Sequence, residues 1–441
     1  MPDLKISIPA ILCATFAIFL QVQITLFETT DYAGLRINLA DLLLPFTGIF
    51  ILYSLLSNKT KWPHWQKPFG ILWLVALTVV MTLSLMNGYR LSGELSSWAL
   101  LNKFTGWFIL IAYLYAGAWL ATNYAEITIR PLIKPFVFCF LLISSVSAVS
   151  IIMVGYDLLP LSLARLIIPD YYQLESMMGN RNALAFLFAV ITVFITIFSA
   201  RHPDIIPRWS LILFWSFFPA LLCLNGSRAM WLAAVLLLIY LGITNKQIFL
   251  RFIFLPILFG SIFFVSVLHE GQRNLIFTPF VSSSKLYNHT LRDTKEEQHI
   301  HGGDNARMKI IESSLERWQQ SPIIGAGIGG GVAYQQVKYG ETIDVIDNSM
   351  LWILTDMGLI GLVTFLACFA AMLAALWPYF LEKKQALSPE RQTFLICTFL
   401  MLLVFGLFSL VHEILYSRFL WFILGLALAL PHQHQTKSSD P

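Results

Sequence analysis

The sequence has little charge. Asp, Glu, Lys and Arg together make up 12% of its 441 residues, against roughly 25% in a soluble globular protein. Hydrophobic residues make up 57%, and the mean hydropathy is +0.71. A chain this apolar needs lipid as its solvent, which excludes an ordinary soluble domain. Cysteine is also scarce. Cys13, Cys139, Cys223, Cys368 and Cys397 all fall in apolar runs, so they read as small packing residues and not as a disulfide framework. A basic-aromatic cluster is lacking, and much of the +4 net charge sits where membrane topology would place it. No nucleic-acid partner is expected. The glycine run Gly325–Gly331 lacks the Gly-Lys-Ser/Thr ending of a nucleotide-binding loop. It reads as a tight backbone path, with anion binding by its amides as a second option. His299 and His301, beside Glu296 and Glu297, have the side chains of a metal site but no further partner at a suitable spacing. They read as a polar loop tip.

Long apolar runs are what the sequence has in abundance. About twenty apolar residues suffice to cross a bilayer as a helix, which satisfies its own backbone hydrogen bonds. About twelve such spans are expected, near 8–27, 38–56, 69–87, 104–122, 132–155, 182–200, 208–224, 229–244, 249–268, 349–377, 393–411 and 414–430. The first is long, lacks a small-residue cleavage site and is followed by many more, so it reads as a retained span. With Lys5 inside, the inner loops hold Lys59, Lys61, Lys67, Arg130, Arg201, Arg208, Lys246, Arg251, Lys383, Lys384 and Arg391. The short outer loops hold fewer cations, among them Lys103, Arg181, Arg228 and Arg418. This asymmetry puts both termini in the cytoplasm and segment 269–347 outside. The expected fold class is all-α: a polytopic integral membrane protein with spans at 1–268, a long outer loop at 269–347, and three spans with a cytoplasmic tail at 348–441.

The outer loop has an internal order. A Gly- and Ser-containing polar stretch comes first. Next is Asn305-Ala-Arg-Met-Lys-Ile-Ile-Glu-Ser-Ser-Leu-Glu-Arg-Trp318, in which Met308, Ile311, Leu315 and Trp318 recur at helical spacing. Ser321-Pro322 stops that amphipathic helix, the glycine run follows, and Asp347-Asn348 stands at the mouth of the next apolar span. A loop of this length usually has a function.

Three arginines stand at expected helix starts on the outer side: Arg181, Arg228 and Arg307. A guanidinium at the bilayer boundary is costly unless paired or wet, and a helix start adds a positive dipole end. Together they suit a phosphate or carboxylate. The plainer reading is that each snorkels to lipid headgroups. Asp347 has two compatible readings, as the N-cap of the following helix and as a base that takes a proton from a substrate hydroxyl. His412-Glu413 reads as a structural pair or a site neighbour. Asp41 and Asp356 read as caps, arginine partners or cavity lining.

In this order, the pieces Leu35-Arg-Ile-Asn-Leu-Ala-Asp-Leu-Leu-Leu44, Gly179-Asn-Arg-Asn-Ala-Leu184, Asn225-Gly-Ser-Arg-Ala229, Ala306-Arg307 through Trp318, Ser321-Pro-Ile-Ile-Gly-Ala-Gly327, and Asp347-Asn348 with Met357-Gly-Leu-Ile-Gly-Leu362 form a pattern. The chain resembles the O-antigen ligase and Wzy-type polysaccharide polymerase superfamily of bacterial inner membranes. The resemblance implies an enzyme that takes a glycan from a polyprenyl (undecaprenyl) diphosphate lipid and joins it to an acceptor hydroxyl at the periplasmic face, without metal, nucleotide or other cofactor. It implies Arg228 and Arg307 as diphosphate binders and Asp347 as the base, with Arg181, Asn348 and Arg317 as candidate substrate contacts. The acceptor is a growing glycan or lipid A-core, and a chain-length regulator is a possible partner. Ligases commonly carry His-Asn where this chain has Asp347-Asn348, which tilts the expectation toward a polymerase. A transporter is the rival from another class, but its binding groups would sit near mid-membrane in repeated halves. A non-catalytic scaffold would tolerate Lys in place of Arg228 and Arg307.

Overall fold

A computed structural model describes residues 7–25, 36–93, 98–160, 163, 176–178, 180–244, 246–267, 304–330, 334, 346, 348–381 and 387–430. The principal helices are α1 (Ile8–Phe19), α2 (Leu43–Leu56), α3 (Ile71–Ser92), α4 (Gly106–Tyr124), α5 (Ile129–Gly155), α6 (Arg181–Arg201), α7 (Arg208–Asn225), α8 (Arg228–Thr244), α9 (Leu255–Val267), α10 (Asp304–Gln320), α11 (Ser349–Phe380), α12 (Pro389–Ser409) and α13 (Arg418–Ala429). Two three-residue strands, β1 (Gln23–Thr25) and β2 (Arg36–Asn38), pair with each other. Among the described residues, 9 helical stretches are long and apolar enough to cross a membrane. Three shorter apolar helices, Ile8–Phe19, Ala229–Ile243 and Arg418–Ala429, occupy the other positions where spans are expected. The chain is a multi-pass membrane protein, and among the described residues every candidate span is a helix.

Its contacts divide it into two compact units that interleave in sequence. One comprises Met1–Ile24, Asn38–Ala40 and Ile127–Glu297; the other comprises Thr25–Ile37, Asp41–Glu126 and Gln298–Pro441. In the first unit α6 forms the core. Every residue from Leu184 to Ser199 is buried, as expected for a helix apolar on all sides. Phe188 meets Phe140 and Phe218 with ring centroids 5.6 and 5.1 Å apart, which ties α6 to α5 and α7. Gln21, just beyond α1, donates its side-chain amide to the carbonyls of Ala17 and Phe136, each at 2.8 Å, and so fixes α1 against α5.

In the second unit α13 is buried from Phe419 to Ala429 and crosses α4. The crossing is close because both helices place glycine there. A Cβ at Gly117 would collide with the Phe422 carbonyl, and one at Gly425 with the Leu114 carbonyl. Trp107 and Trp421 pack edge to face at 5.3 Å beside it. Helix α11 packs on α3, α10 and α12.

Candidate active site

In the first unit, two arginine-bearing turns are joined. Asn180 caps α6, its Oδ1 accepting from the amides of Asn182 at 2.7 Å and Ala183 at 3.2 Å. Arg181 is therefore the first residue of the helix, and it is half-buried. Asn225 ends α7 and donates its side-chain amide to the Arg181 carbonyl at 2.9 Å. Its Oδ1 accepts from Ser227 N at 3.3 Å, and Gly226 takes the left-handed conformation (φ 66°) that lets the chain reverse. Arg228 then opens α8. The turns Asn180–Asn182 and Asn225–Arg228, far apart in sequence, thus place two helix N-termini side by side. The side chain of Arg228 lies outside the described residues.

In the second unit, the start of α11 is over-determined. Asn348 is its N-cap: Oδ1 accepts from Met350 N at 2.9 Å and Leu351 N at 3.0 Å, while Nδ2 donates to the Leu410 carbonyl. The capping role that the sequence reading gave to Asp347 belongs to its neighbour. Asp and Asn cap equally well, and only the chain path decides between them. Asp347 itself lies outside the described residues. Ser349 adds two bonds to the α12–α13 connection, donating from Oγ to the His412 carbonyl at 3.0 Å and accepting from Ile414 N at 3.2 Å.

A buried ion pair lies next to this helix start. Lys103 pairs with Glu413, and its ammonium stands 4.5 Å from the Trp352 ring centre and 4.7 Å from that of Tyr416. Two aromatic faces and a carboxylate make burial of the cation tolerable. Tyr416 donates its hydroxyl to the Lys103 carbonyl at 2.9 Å. Burial, and then the Glu413 carboxylate, hold its phenol well above the ordinary value, so it stays neutral. Arg418 pairs with Asp41 at 3.3 Å, and Asp41 also accepts the Tyr113 hydroxyl at 2.7 Å. Asp41 is thus an arginine partner. The sequence reading counted Lys103 and Arg418 only as markers of topology.

Helix α10 forms as expected and ends at Gln320, before Pro322. Its packing face is different from the predicted one. Ile310, Ser313 and Ser314 are buried, with Thr355 Oγ1 of α11 donating to the Ser314 carbonyl at 3.4 Å. Met308, Ile311 and Leu315 remain 64, 39 and 38% exposed. Small serines let two helices approach closely, a preference that hydrophobic periodicity does not register. Arg317 is half-buried. It donates to Gln320 Oε1 at 2.7 Å, and its guanidinium lies 5.8 Å from the Tyr334 ring centre. The side chain of Arg307 lies outside the described residues, as do His299 and His301. Among the described residues, no group of three or more His, Cys, Asp or Glu stands together as a metal site.

The glycine run docks on a break in α11. Gly358 (φ 65°, ψ −166°) interrupts that helix. Beyond the break, Leu359 N donates to the Pro322 carbonyl at 2.9 Å and Ile360 N to that of Ile323 at 3.2 Å. Before it, the carbonyls of Thr355 and Asp356 accept from Ala326 N at 2.8 Å and Gly327 N at 2.9 Å. Asp356 Oδ2 accepts from Gly329 N at 3.0 Å. Helix α3 holds the assembly from another side: Ser84 Oγ donates to the Asp356 carbonyl at 2.7 Å, and Asn87 Nδ2 to that of Gly325 at 2.9 Å. The remaining amides, of Gly325, Ile328 and Gly330, donate to Ser321, Ser84 and Gly327 carbonyls. Every amide from Gly325 to Gly330 has an acceptor within the protein, so the loop is the tight path of the first reading and not an anion cradle. Cβ atoms at Gly325 and Gly358 would collide with the backbone opposite, which requires glycine at both positions.

Residues 209–366 match the family model of the O-antigen ligase. Over these residues the chain is similar to the O-antigen ligase family. The matched stretch runs from the start of α7 into α11 and includes Arg228, Arg307, Arg317, Asp347, Asn348 and Asp356; Arg181 precedes it. No curated protein matches the chain. The superfamily resemblance read from scattered motifs therefore holds. The protein is a multi-pass membrane protein, and residues 209–366 resemble a family of enzymes that transfer glycan.

Proposed function

We propose that this protein is a glycosyltransferase of the bacterial inner membrane, and that it works as a Wzy-type polysaccharide polymerase. It moves a glycan from polyprenyl diphosphate to a sugar hydroxyl at the periplasmic face. The observation that carries the reading is the family match over 209–366, which spans an arginine helix start and the Asp-Asn helix mouth. The Asn225–Arg181 bond supports it, because it sets two helix N-termini side by side on the anion-binding pattern.

The chemistry follows from these groups. Asp347 takes the proton of the acceptor hydroxyl. The oxygen attacks the anomeric carbon, forming the new glycosidic bond as the bond to the diphosphate oxygen breaks. The electron pair leaves on the polyprenyl diphosphate, whose growing charge is met by the guanidinium groups of Arg228 and Arg307, with Arg181 and Arg317 as further contacts. A single displacement inverts the anomeric centre. Asn348 caps the helix that follows the base in sequence. Both termini are cytoplasmic in this arrangement, and a chain-length regulator is a partner to test.

Transfer to lipid A-core is the second reading, favoured by the ligase family match itself. Reconstitution separates the two. Purified protein in liposomes receives a polyprenyl-diphosphate-linked repeat unit, and the products are run on a gel. A ladder from that donor alone means polymerase. A product that appears only with lipid A-core means ligase. Verified substrate with no product in either case would overturn glycosyl transfer and revive a transporter.

A further inference from the structure

Asp356 is 1% exposed, in a helix long and apolar enough to cross the membrane. A carboxylate placed there is costly and needs a reason. The break at Gly358 does not supply one. Its freed backbone groups are already satisfied by the backbone of Pro322–Gly327, and a carbonyl accepts as well from any residue type at 356. The side chain does something additional. It reaches out of α11 to the amide of Gly329, at the far end of the docked loop. Its neighbour Thr355 bonds α10 directly at Ser314, and Trp318 of α10 donates its indole N–H to the Pro322 carbonyl at 3.1 Å, at the near end of the same loop.

We propose that Asp356 is a positioning residue that locks the loop Ser321–Gly330 onto the break in α11 and so fixes α10, with Arg307 and Arg317, relative to the helix start at Ser349. This inference rests on the proposed role of α10 in holding the donor diphosphate. The segment Ser349–Met357 is then a short rigid strut. Asn348 and Ser349 anchor its outer end, and Asp356 anchors its inner end about 10 Å along the axis. Asn87 of α3 serves the same lock through the Gly325 carbonyl. Loosening the lock displaces the arginines and leaves the base on its own anchor, so donor recognition suffers more than turnover.

The test is initial-rate kinetics in proteoliposomes, with a polyprenyl-diphosphate-linked repeat unit as the varied donor and saturating acceptor saccharide. Asp356→Ala is expected to raise the donor KM about tenfold and to change kcat less than about threefold. Asp356→Asn keeps an oxygen acceptor for Gly329 and is expected to stay within about twofold of wild type in both constants. Asn87→Ala is expected to raise the donor KM about threefold. An unchanged donor KM in folded Asp356→Ala overturns the inference, as does an Asp356→Asn variant equally impaired. If Asp356→Ala does not accumulate, Asn87→Ala decides, and an unchanged donor KM there has the same meaning. Wild-type protein that makes no product from this donor, with or without lipid A-core, refutes the glycosyl-transfer reading instead.

Discussion

Replacing Asn348 by Ala separates holding the base from being the base. The substitution removes a cap whose Oδ1 serves Met350 N and Leu351 N, about 1 kcal/mol. It also removes the bond from Nδ2 to the Leu410 carbonyl, about 1 kcal/mol more. Because α11 is broken at Gly358, this loss falls on the short segment Ser349–Met357. A local cost of about 2 kcal/mol corresponds to about 30-fold in the balance between ordered and frayed helix starts. Transfer activity should fall by up to that factor, while the global melting temperature in detergent changes by only a few degrees. Asn348→Ser keeps a cap acceptor and loses only the Leu410 bond, so its expected loss is about fivefold. Two assays are read together: the rate of product formation in liposomes, and hydrogen–deuterium exchange of the amides of Met350 and Leu351. Wild-type activity with accelerated exchange in Asn348→Ala would refute the argument, and so would a serine variant as poor as the alanine one.

Asp347→Ala should abolish transfer by at least about 100-fold and leave thermal stability unchanged, since Asn348 and not Asp347 caps α11; a drop in melting temperature comparable to that of Asn348→Ala would contradict this. Arg228→Lys and Arg307→Lys should each lose about 100-fold in kcat/KM, because an ammonium does not reproduce a bidentate guanidinium on a diphosphate; near-normal rates in both would favour a scaffold. The raised Tyr416 phenol gives a pH prediction. Its neutral form contributes stability that is fully present below the unfolded-state value of about 10 and is lost as pH rises beyond it. Tyr416→Phe should therefore be less stable at neutral pH by about 1 kcal/mol, through loss of the bond to Lys103, yet flatter in an alkaline melting series; a parallel curve would refute the assignment.

The membrane architecture was readable because the physics behind it is one-dimensional. A run of apolar residues long enough to cross lipid stands out in sequence whatever it packs against, and among the described residues the apolar helices fall where spans were expected. The devices that build the site are different in kind. Ser84 and Asp356 are separated by 272 positions, and Asn87 and Gly325 by 238, so nothing local marks them as partners. Ser84, Asn87 and Asp356 each leave a faint signal, a polar side chain inside an apolar span, which in lipid requires a partner or a purpose. Read with that rule, Asp356 would have ranked with the arginines and not as a residue near a span end. The exposed stripe of α10 teaches the same point from the other side. Met308, Ile311 and Leu315 have the period of a buried face, but Ser313 and Ser314 form the contact, because in this unit close approach of backbones outweighs apolar area. The glycine run belongs with them: Gly325 and Gly358 each sit where a Cβ would strike the facing backbone, so α11 is broken and its break is filled by the loop that follows α10. A helix broken inside lipid persists only if another segment supplies the missing bonds. The break and the loop therefore have to be present together, and that dependence ties α10 to the helix that Asn348 caps.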